Sequence, residues 1–205
     1  MKVILVGGFS ETIELCEDCD ADIVGIFDKQ PAGQLGDYPV LGDDAAAAKL
    51  INKYKNIPVV ISPDNPFVRS KLKQYYHESG YSFISLIHPR ATISKSAQIG
   101  TGAVIHAGVN VSSNASVGDF VRLNVNANLM HDVSVEDYTT VAPNAVLLGR
   151  VRVEACAYVG ANSTILPSVN IGRSSVVGAG SVVIHNTPAE SKVAGNPAKS
   201  ITKGA

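Results

Sequence analysis

The chain has 205 residues, of which 45% are hydrophobic and 17% are charged, and its formal net charge at pH 7 is −1. This composition is typical of a globular protein with one large domain or two small ones, and it excludes a disordered chain. Without any Lys/Arg cluster, neither nucleic acid nor a membrane surface is an expected partner. The first apolar stretch is too short to span a membrane and lacks a signal-peptide cleavage region, so we expect a cytoplasmic protein.

Residues 1–87 alternate short apolar strands with amphipathic helices. This alternation is typical of a parallel sheet with helices on its faces, and it predicts a small Rossmann-like α/β unit. The predicted elements, in chain order, are a strand at Lys2–Gly7, a helix at Ser10–Asp18, a strand at Ala21–Phe27, a helix at Asp43–Lys55, a strand at Pro58–Ile61, a helix at Asn65–Ser79 and a strand at Tyr81–Ile87.

The loop between the first predicted strand and the first helix is a candidate phosphate site. It contains Gly8, Phe9 and Ser10, and backbone amides at the start of a helix suit a phosphate group. Asp28 ends the second predicted strand, where an acidic residue suits a ribose or base contact, and Lys29 joins it as a candidate. Because a full GxGxxG motif is missing, the sequence leaves the nucleotide open.

Three cysteines form no disulfide framework. Cys16 and Cys19 make a single CxxC on the first predicted helix, and Cys156 is far from both. A zinc site needs two further ligands nearby, and the sequence shows no histidine or acidic cluster at metal spacing. We therefore expect free thiols in a reducing compartment and no bound metal.

A repeat of six residues begins near Ala91. Every sixth residue is Ile, Val or Leu, and a small or β-branched residue stands two places before each of these anchors. Such a repeat predicts a parallel β-helix over residues 88–187 with about five triangular coils, followed by a tail at 188–205. The anchors are Ile93, Ile99, Ile105, Val111, Val117, Leu123, Leu129, Val135, Val141, Leu147, Val153, Val159, Ile165, Ile171, Val177 and Val183.

Glycines and asparagines recur near the predicted corners of the coils. We expect them there because they tolerate a positive φ better than other residues. They are Gly100, Gly118, Gly160, Gly172, Gly178, Asn110, Asn114, Asn124 and Asn128.

The repeat resembles one branch of the hexapeptide acyltransferases, the sialic acid O-acetyltransferase-like and nucleotide-sugar N-acetyltransferases of bacterial glycan synthesis. The similar segments are Leu123–Tyr138 with its His131-Asp132 pair, Val177–Val183 and Gly195–Lys199. The N-terminal unit and the Leu86–Pro89 junction are similar too, so the resemblance covers nearly the whole chain. It implies a left-handed β-helix and a homotrimer with acetyl-CoA in the groove between neighbouring prisms.

The resemblance also implies direct transfer of acetyl to the amino group of a nucleotide-linked sugar held by the N-terminal unit. His131 is the candidate base, because a sugar ammonium has to lose a proton and histidine exchanges protons near neutral pH. Asp132 would orient its imidazole. The positions carried over for acetyl-CoA are Thr140, Gly149, Ala161 and Ala179.

The remaining histidines are weaker candidates. His106 follows an anchor and is expected to be a stacked corner residue. His88 is expected at the junction of the two parts, and His77 and His185 are expected at the surface.

Three functions stay open at this point. The favoured one is an N-acetyltransferase acting on a nucleotide-linked 4-amino-4,6-dideoxy sugar. The second is an O-acetyltransferase acting on sialic acid or a polysaccharide, for which the same His131-Asp132 pair could serve. The third is a non-catalytic trimeric scaffold or a metal protein like γ-carbonic anhydrase, although the histidine spacing does not suit the latter. The sequence does not decide between UDP, dTDP and GDP, nor does it name the sugar.

Overall fold

The computed structural model describes residues 1–30 and 33–201. An α/β unit comes first, and a parallel β-helix follows it. The elements of the α/β unit are β1 (Lys2–Val6), α1 (Ser10–Asp18), β2 (Asp22–Phe27), β3 (Gln34–Leu35), β4 (Tyr38–Gly42), α2 (Asp44–Tyr54), β5 (Val59–Ile61) and α3 (Pro66–Glu78).

The sheet of the α/β unit has the strand order β3-β4-β2-β1-β5. Its strands are parallel except β3, which pairs antiparallel with β4. The three predicted helices and the first three predicted strands are confirmed, each to within one residue at its ends. The sequence pattern misses β3 and β4, because Pro39 and Gly42 interrupt the apolar residues there.

Strand β1 is an inner strand of the sheet and is apolar on both faces. Val3 and Leu5 pack into the cluster that includes α1, whereas Ile4 and Val6 pack on the opposite side with Tyr76 of α3. Burial on both faces is typical of a parallel strand. Since β1, β2 and β5 run in parallel, their carboxyl ends meet at one edge of the sheet.

The β-helix begins one strand earlier than the sequence predicts. Strand β6 (Leu86–Ile87) pairs with Val104–Ile105 of the β-helix. The predicted strand at Tyr81–Ile87 is therefore wrong as a member of the α/β sheet, which this segment reaches only through one bridge at Phe83. The reason is that β6 stands one hexad before the anchor Ile93 and continues the six-residue register.

Sixteen strands of two residues follow, and each ends on a predicted anchor. Strands one coil apart pair in parallel, as Val111 does with Leu129. They build three sheets of six, five and eight strands, and the third sheet includes β6 and two strands of the C-terminal segment. The strands β7 to β22 are Thr92–Ile93, Gln98–Ile99, Val104–Ile105, Asn110–Val111, Ser116–Val117, Arg122–Leu123, Asn128–Leu129, Ser134–Val135, Thr140–Val141, Val146–Leu147, Arg152–Val153, Tyr158–Val159, Thr164–Ile165, Asn170–Ile171, Val176–Val177 and Val182–Val183.

The anchors form one continuous core. All of them from Ile105 to Val183 are buried, and Ile93 and Ile99, in the first coil, are partly buried. The small residues two places earlier, such as Ala127, are buried as well. The hexad prediction for this half of the chain is therefore confirmed.

The corners have a left-handed backbone at every sixth residue from Gly102 to Gly180. Asn114, with φ of 57°, is one of these residues, as predicted. Bulky side chains such as Phe120 and Tyr138 hold the same conformation, which costs a non-glycine residue about 1–2 kcal/mol. The buried stack of strands on both sides of each corner has to offset that cost.

The expectation that the predicted glycines adopt a positive φ is wrong. These glycines are needed because a Cβ would collide with the neighbouring coil. They are Gly100, Gly118, Gly160, Gly172 and Gly178. Each follows an anchor, and none has a left-handed φ. A Cβ on Gly160 would lie 2.5 Å from the carbonyl oxygen of Val177 in the next coil. Asn124 also lacks a positive φ, and Asn110 and Asn128 lie in strands, where their amides hydrogen-bond each other at 2.9 Å.

The C-terminal segment extends the eight-stranded sheet. Strand β23 (Lys192–Ala194) pairs in parallel with β21, and β24 (Lys199–Ser200) pairs antiparallel with β23. Of the predicted tail at 188–205, residues 202–205 lie outside the described residues.

Arg69 of α3 fixes the α/β unit on the β-helix. Its side chain is fully buried, and burial lowers its pKa to about 10, so that it stays charged at neutral pH. Its guanidinium donates hydrogen bonds to the backbone oxygens of Pro63, Asp64, Phe120, Tyr138 and Thr139 and to the hydroxyl of Thr140. This clamp holds the strand ends of the α/β sheet beside the β-helix.

Candidate active site

Two adjoining cavities lie where the α/β unit meets the β-helix. The larger, the strand-end cavity, has a volume of about 600 Å³ at the carboxyl ends of the parallel strands. The smaller, the junction cavity, has a volume of about 430 Å³ between α1 and the β-helix. Asp64 and Tyr158 line both cavities, so a single extended ligand can occupy the two.

Four of the five residues predicted for the nucleotide meet at the strand-end cavity. Phe9, Asp28 and Lys29 line it, and Gly8 donates its backbone N–H to Asp28 Oδ2 at 2.7 Å. The backbone N–H of Gln30 reaches Asp28 Oδ1 at 2.9 Å. These two bonds hold the carboxylate at the mouth of the cavity, where each oxygen keeps a further lone pair for a ligand.

The loop before α1 leaves the start of the helix without a side-chain cap. Phe9 is the N-cap residue and makes no capping hydrogen bond, and half of its surface is exposed. Gly7 has φ of 92°, a conformation that glycine adopts at little cost. Ser10 starts α1 but does not line either cavity. Open amides beside an exposed aromatic ring suit a phosphate and a planar base.

The junction cavity combines four carboxylates with two histidines. Its carboxylates come from α1 and from the loop after β5. Its lining residues are Glu11, Glu14, Leu15, Asp18, Asp64, His88, His106, Ala107, Asn124, Val125, Pro143 and Tyr158.

Arg122 lies behind this cavity and orders its polar groups. The side chain is buried and donates to the Ser62 carbonyl at 2.6 Å, to Asn124 Oδ1 at 2.9 Å and to His106 Nε2 at 2.9 Å. Asp64 and Glu11 lie 3.5 Å and 3.6 Å from the guanidinium. Burial lowers the pKa of Arg122, and the neighbouring carboxylates oppose that change.

His106 stands in the turn after β9, at the corner where the sequence predicts it, and its surroundings are set by the α/β unit. It is buried beneath the α/β unit, where desolvation, reinforced by the charge of Arg122, lowers its pKa to about 4. The ring is therefore neutral at physiological pH. Since Arg122 donates to its Nε2, that nitrogen is not available to accept a proton from a substrate.

His88 ties α1 to the first turn of the β-helix. Its Nδ1 accepts the backbone N–H of Arg90 at 2.8 Å, so its Nε2 carries the proton and donates to Asp18 at 2.9 Å. The predicted position of His88 at the junction is confirmed. Its acidic partner could not be found from sequence neighbours, because the two residues are 70 positions apart.

His131 and Asp132 stand at a different corner of the β-helix from the two cavities. His131 Nδ1 donates to Asp132 Oδ2 at 2.8 Å, and Asn114 donates to Asp132 Oδ1 at 3.2 Å. These two bonds lower the pKa of Asp132. Within the described chain, His131 Nε2 has no hydrogen-bond partner, and the side chain is 48% exposed.

The candidate acetyl-CoA residues separate into three places. Gly149 packs on the imidazole, since a Cβ there would lie 2.5 Å from His131 Nε2. Ala161 and Ala179 stand in the corner column that also contains Val125 and Pro143 of the junction cavity.

The position of Thr140 contradicts the prediction that this residue contacts acetyl-CoA. Its side chain is fully buried against the α/β unit, where its hydroxyl accepts from Arg69 and donates to the Asp64 carbonyl. It therefore has no surface left to offer a ligand.

Sequence reasoning missed Asp64, Arg122 and Tyr158. Arg122 and Tyr158 each stand directly before an anchor, an outward position that is usually small or polar in this repeat. Together with Val104 and Thr140 they form a column with a period of one coil, and this column faces the α/β unit. A large side chain at such an outward position is the signal that could have found them.

The described residues offer neither a metal site nor a membrane-spanning helix. Across residues 1–30 and 33–201 no group of three or more His, Cys, Asp or Glu residues has the geometry to hold a metal ion. In the same ranges no helix has the length and apolar character needed to cross a membrane. Cys16 is buried, which raises its pKa to about 12, and the Cys19 thiol donates to the Ile87 carbonyl.

Neither a family model nor a curated protein matches the sequence. Solved structures do match it. A variant of GDP-perosamine N-acetyltransferase from Caulobacter crescentus, in complex with CoA and GDP-perosamine, is 29% identical with a TM-score of 0.93 over 100% of this chain and 98% of that one. A structure of PerB from Caulobacter crescentus with the same two ligands is 30% identical, with a TM-score of 0.91 over the same shares.

Two further solved structures match nearly the whole chain. The acetyltransferase domain of PglB from Neisseria gonorrhoeae, in complex with acetyl coenzyme A, is 25% identical with a TM-score of 0.90 over 98% of each chain. WeeI from Acinetobacter baumannii is 26% identical with a TM-score of 0.85, covering 98% of this chain and 100% of its own. The predicted left-handed β-helix is the fold that these acetyltransferases share with this chain.

Proposed function

We propose a function from the premise that this chain belongs to the hexapeptide-repeat acetyltransferases of nucleotide-linked amino sugars. The protein transfers acetyl from acetyl-CoA to the amino group of a nucleotide-linked amino sugar, and the acceptor that we propose is a 4-amino-4,6-dideoxy sugar. The carrying observation is the match over the whole chain to an enzyme that holds CoA and GDP-perosamine. The proposed setting is glycan or surface-polysaccharide synthesis in the bacterial cytoplasm.

His131 acts as the base in this proposal. Its Nδ1–H donates to Asp132, which leaves the lone pair on Nε2 exposed. As the sugar nitrogen attacks the thioester carbon, its proton passes to Nε2. The carbon–nitrogen bond forms, the carbon–sulfur bond breaks, and the thiolate of CoA leaves and takes up a proton. This direct transfer needs no acyl-enzyme.

The strand-end cavity takes the nucleotide, and the α/β unit then serves as a Rossmann-like domain. The uncapped start of α1 at Phe9 and Ser10, together with Gly8, would face the diphosphate. Asp28 would accept hydrogen bonds from the ribose or the base. Lys29 lines the same cavity and would balance the negative charge of the phosphates.

A complete active site requires two copies of the chain, and we propose a homotrimer. His131 and Val125 stand at consecutive corners of the β-helix, on different edges of the prism. A threefold axis parallel to the prism brings His131 of one copy beside the junction cavity of the next. Acetyl-CoA then lies in the groove between them, with Gly149 on one side and Ala161 and Ala179 on the other.

An acceptor panel tests the proposed function. Purified protein is incubated with acetyl-CoA and UDP-, dTDP- or GDP-linked amino sugars, and mass spectrometry detects the acetylated product. We expect one acetyl group on a nucleotide-linked 4-amino-4,6-dideoxy sugar and none on free sialic acid. Acetylation of sialic acid or a polysaccharide, with every nucleotide-linked amino sugar left unchanged, would contradict the proposal.

A further inference from the structure

We propose that the junction cavity holds the sugar of the acceptor and that His106 orients it, by donating a hydrogen bond from Nδ1 to a sugar oxygen. This inference rests on the proposed function, because it assigns a position to the acceptor of that reaction. It makes His106 a specificity-determining residue and not a base.

The tautomer of His106 follows from its contact with Arg122. Arg122 Nη2 lies 2.9 Å from His106 Nε2, and a guanidinium can only donate. Nε2 therefore accepts, and in the neutral ring the proton belongs to Nδ1. Because Arg122 is itself held by the Ser62 carbonyl and by Asn124, the ring cannot easily turn to exchange its two nitrogens.

The Nδ1–H of His106 has no acceptor within the described chain, although the residue is only 6% exposed. His106 Nδ1 is not fully enclosed. Among the described residues, the fully enclosed side-chain atoms without a partner are Ser62 Oγ and Asn170 Oδ1. The remaining exposure of the ring faces the junction cavity, which His106 lines. A nearly buried donor without a partner is costly in a folded protein, and a ligand oxygen in the cavity would satisfy it.

The charges around the cavity select the kind of sugar. Glu11, Glu14, Asp18 and Asp64 all line it, whereas the guanidinium of Arg122 lies behind His106 and is shared with two of these carboxylates. An acceptor that carries an ammonium group is attracted to such a site, and one that carries a carboxylate is repelled. The cavity thus favours an amino sugar over sialic acid.

The position of the cavity fits a sugar attached to a nucleotide. It adjoins the strand-end cavity through Asp64 and Tyr158, so a sugar in the junction cavity can be joined to a diphosphate in the strand-end cavity. At its other end it reaches the corner residues Val125 and Pro143, in the same column as Ala161. A sugar in this place lies between the nucleotide and the proposed path of acetyl-CoA.

Two variants of His106 separate its two ring nitrogens. In His106→Asn the side-chain N–H₂ occupies the place of Nδ1, so the donor to the sugar is kept and the acceptor for Arg122 is lost. In His106→Gln the side-chain oxygen occupies the place of Nε2, so the acceptor for Arg122 is kept and the donor is lost. We expect His106→Gln to raise KM for the acceptor by about 10-fold with KM for acetyl-CoA unchanged, and His106→Asn to stay within about 3-fold of wild type.

The inhibition constant of the free nucleoside diphosphate provides the control. This compound fills only the strand-end cavity, so neither variant should change its inhibition constant. If the Asn variant loses acceptor affinity and the Gln variant keeps it, His106 serves only to support Arg122 and the inference is overturned. Equal acceptor KM values in all three proteins overturn it too. A wild-type protein that acetylates no nucleotide-linked amino sugar refutes instead the proposed function on which the inference rests.

Discussion

At the scale of single residues, His131 and His106 are each bonded through one ring nitrogen, and it is a different nitrogen in each residue. His131 has its Nδ1 tied to Asp132 and its Nε2 open, whereas His106 has its Nε2 tied to Arg122 and its Nδ1 open. A carboxylate can only accept and a guanidinium can only donate, so the first ring keeps a free lone pair and the second keeps a free N–H. His131 can therefore take a proton from the substrate, and His106 can only give a hydrogen bond.

His131→Ala should lower kcat by about 10²–10⁴-fold, the usual contribution of a general base. The side chain is half exposed at a corner, so its removal opens no core cavity and should leave the unfolding temperature nearly unchanged. Steady-state kinetics and thermal unfolding test both parts. His185→Ala is the matched control, because His185 is exposed on the same β-helix and should keep full activity. Near-full activity of His131→Ala would mean that another group takes the proton.

Asp132→Asn should alter the pH dependence of stability. The pKa of Asp132 is lowered by the hydrogen bonds from His131 and from Asn114. A carboxyl whose folded-state pKa is lowered stabilises the protein above its unfolded pKa of about 3.9, and this contribution is lost as the pH falls through the lower folded value. The unfolding temperatures of wild type and variant should therefore differ at neutral pH and converge in acid.

Calorimetry between neutral pH and about pH 3 makes this comparison. Asn is a suitable replacement, because it tolerates the left-handed backbone at this position, where φ is 59°. A difference in unfolding temperature that stays constant over the whole range would show that the carboxylate charge of Asp132 contributes nothing to the folded state.

At the scale of secondary-structure elements, the β-helix uses glycine for two separate reasons. After an anchor, glycine lets one coil approach the next, as at Gly160, where a Cβ would meet the carbonyl oxygen of Val177 at 2.5 Å. At a corner, glycine relieves the backbone, as at Gly180, which has φ of 67° and open space where its Cβ would be. The first reason is steric contact with a neighbouring strand, and the second is local.

The variants Gly160→Ala and Gly180→Ala should therefore differ in stability. The first forces a backbone shift between paired strands and should cost more than about 2 kcal/mol. The second adds only the penalty of a left-handed alanine, about 1–2 kcal/mol or less at a corner. Chemical denaturation of both variants measures the two values. Equal losses, or a larger loss for Gly180→Ala, would contradict the close-approach explanation.

At the scale of the whole molecule, the proposed base and the proposed acceptor cavities lie on different edges of one prism. The junction and strand-end cavities share Asp64 and Tyr158, and neither is lined by His131. The proposed threefold association would supply the missing edge from a neighbouring copy. Catalysis and oligomeric state should therefore be inseparable in this protein.

A mixture of two variants that are each impaired tests this arrangement. His131→Ala removes the base, and Asp28→Ala removes the carboxylate held at the strand-end cavity by Gly8 and Gln30. Mixed trimers formed by co-expression should regain activity, because His131 of one copy then works with Asp28 of its neighbour. Light scattering should show a trimer for each variant alone. A co-expressed mixture that is no more active than the separate variants would place the whole site within one chain.

The sequence by itself determined the β-helix and the His131-Asp132 pair. Each strand of the helix is set by local spacing, since an apolar residue at every sixth position has to point into the same core. The buried anchors from Ile105 to Val183 follow that pattern without exception. His131 and Asp132 are adjacent in the chain, so their contact needs little more than the corner that holds them.

Only the tertiary structure decided which side chains meet at the junction. Arg69 reaches Thr140 and His88 reaches Asp18 across about 70 positions of the chain, and Arg122 reaches the Ser62 carbonyl across 60. These partners belong to elements with different periods, a sheet with helices and a stack of coils. Their contacts depend on how the α/β unit packs on the β-helix. The periodicity within each unit does not predict that packing.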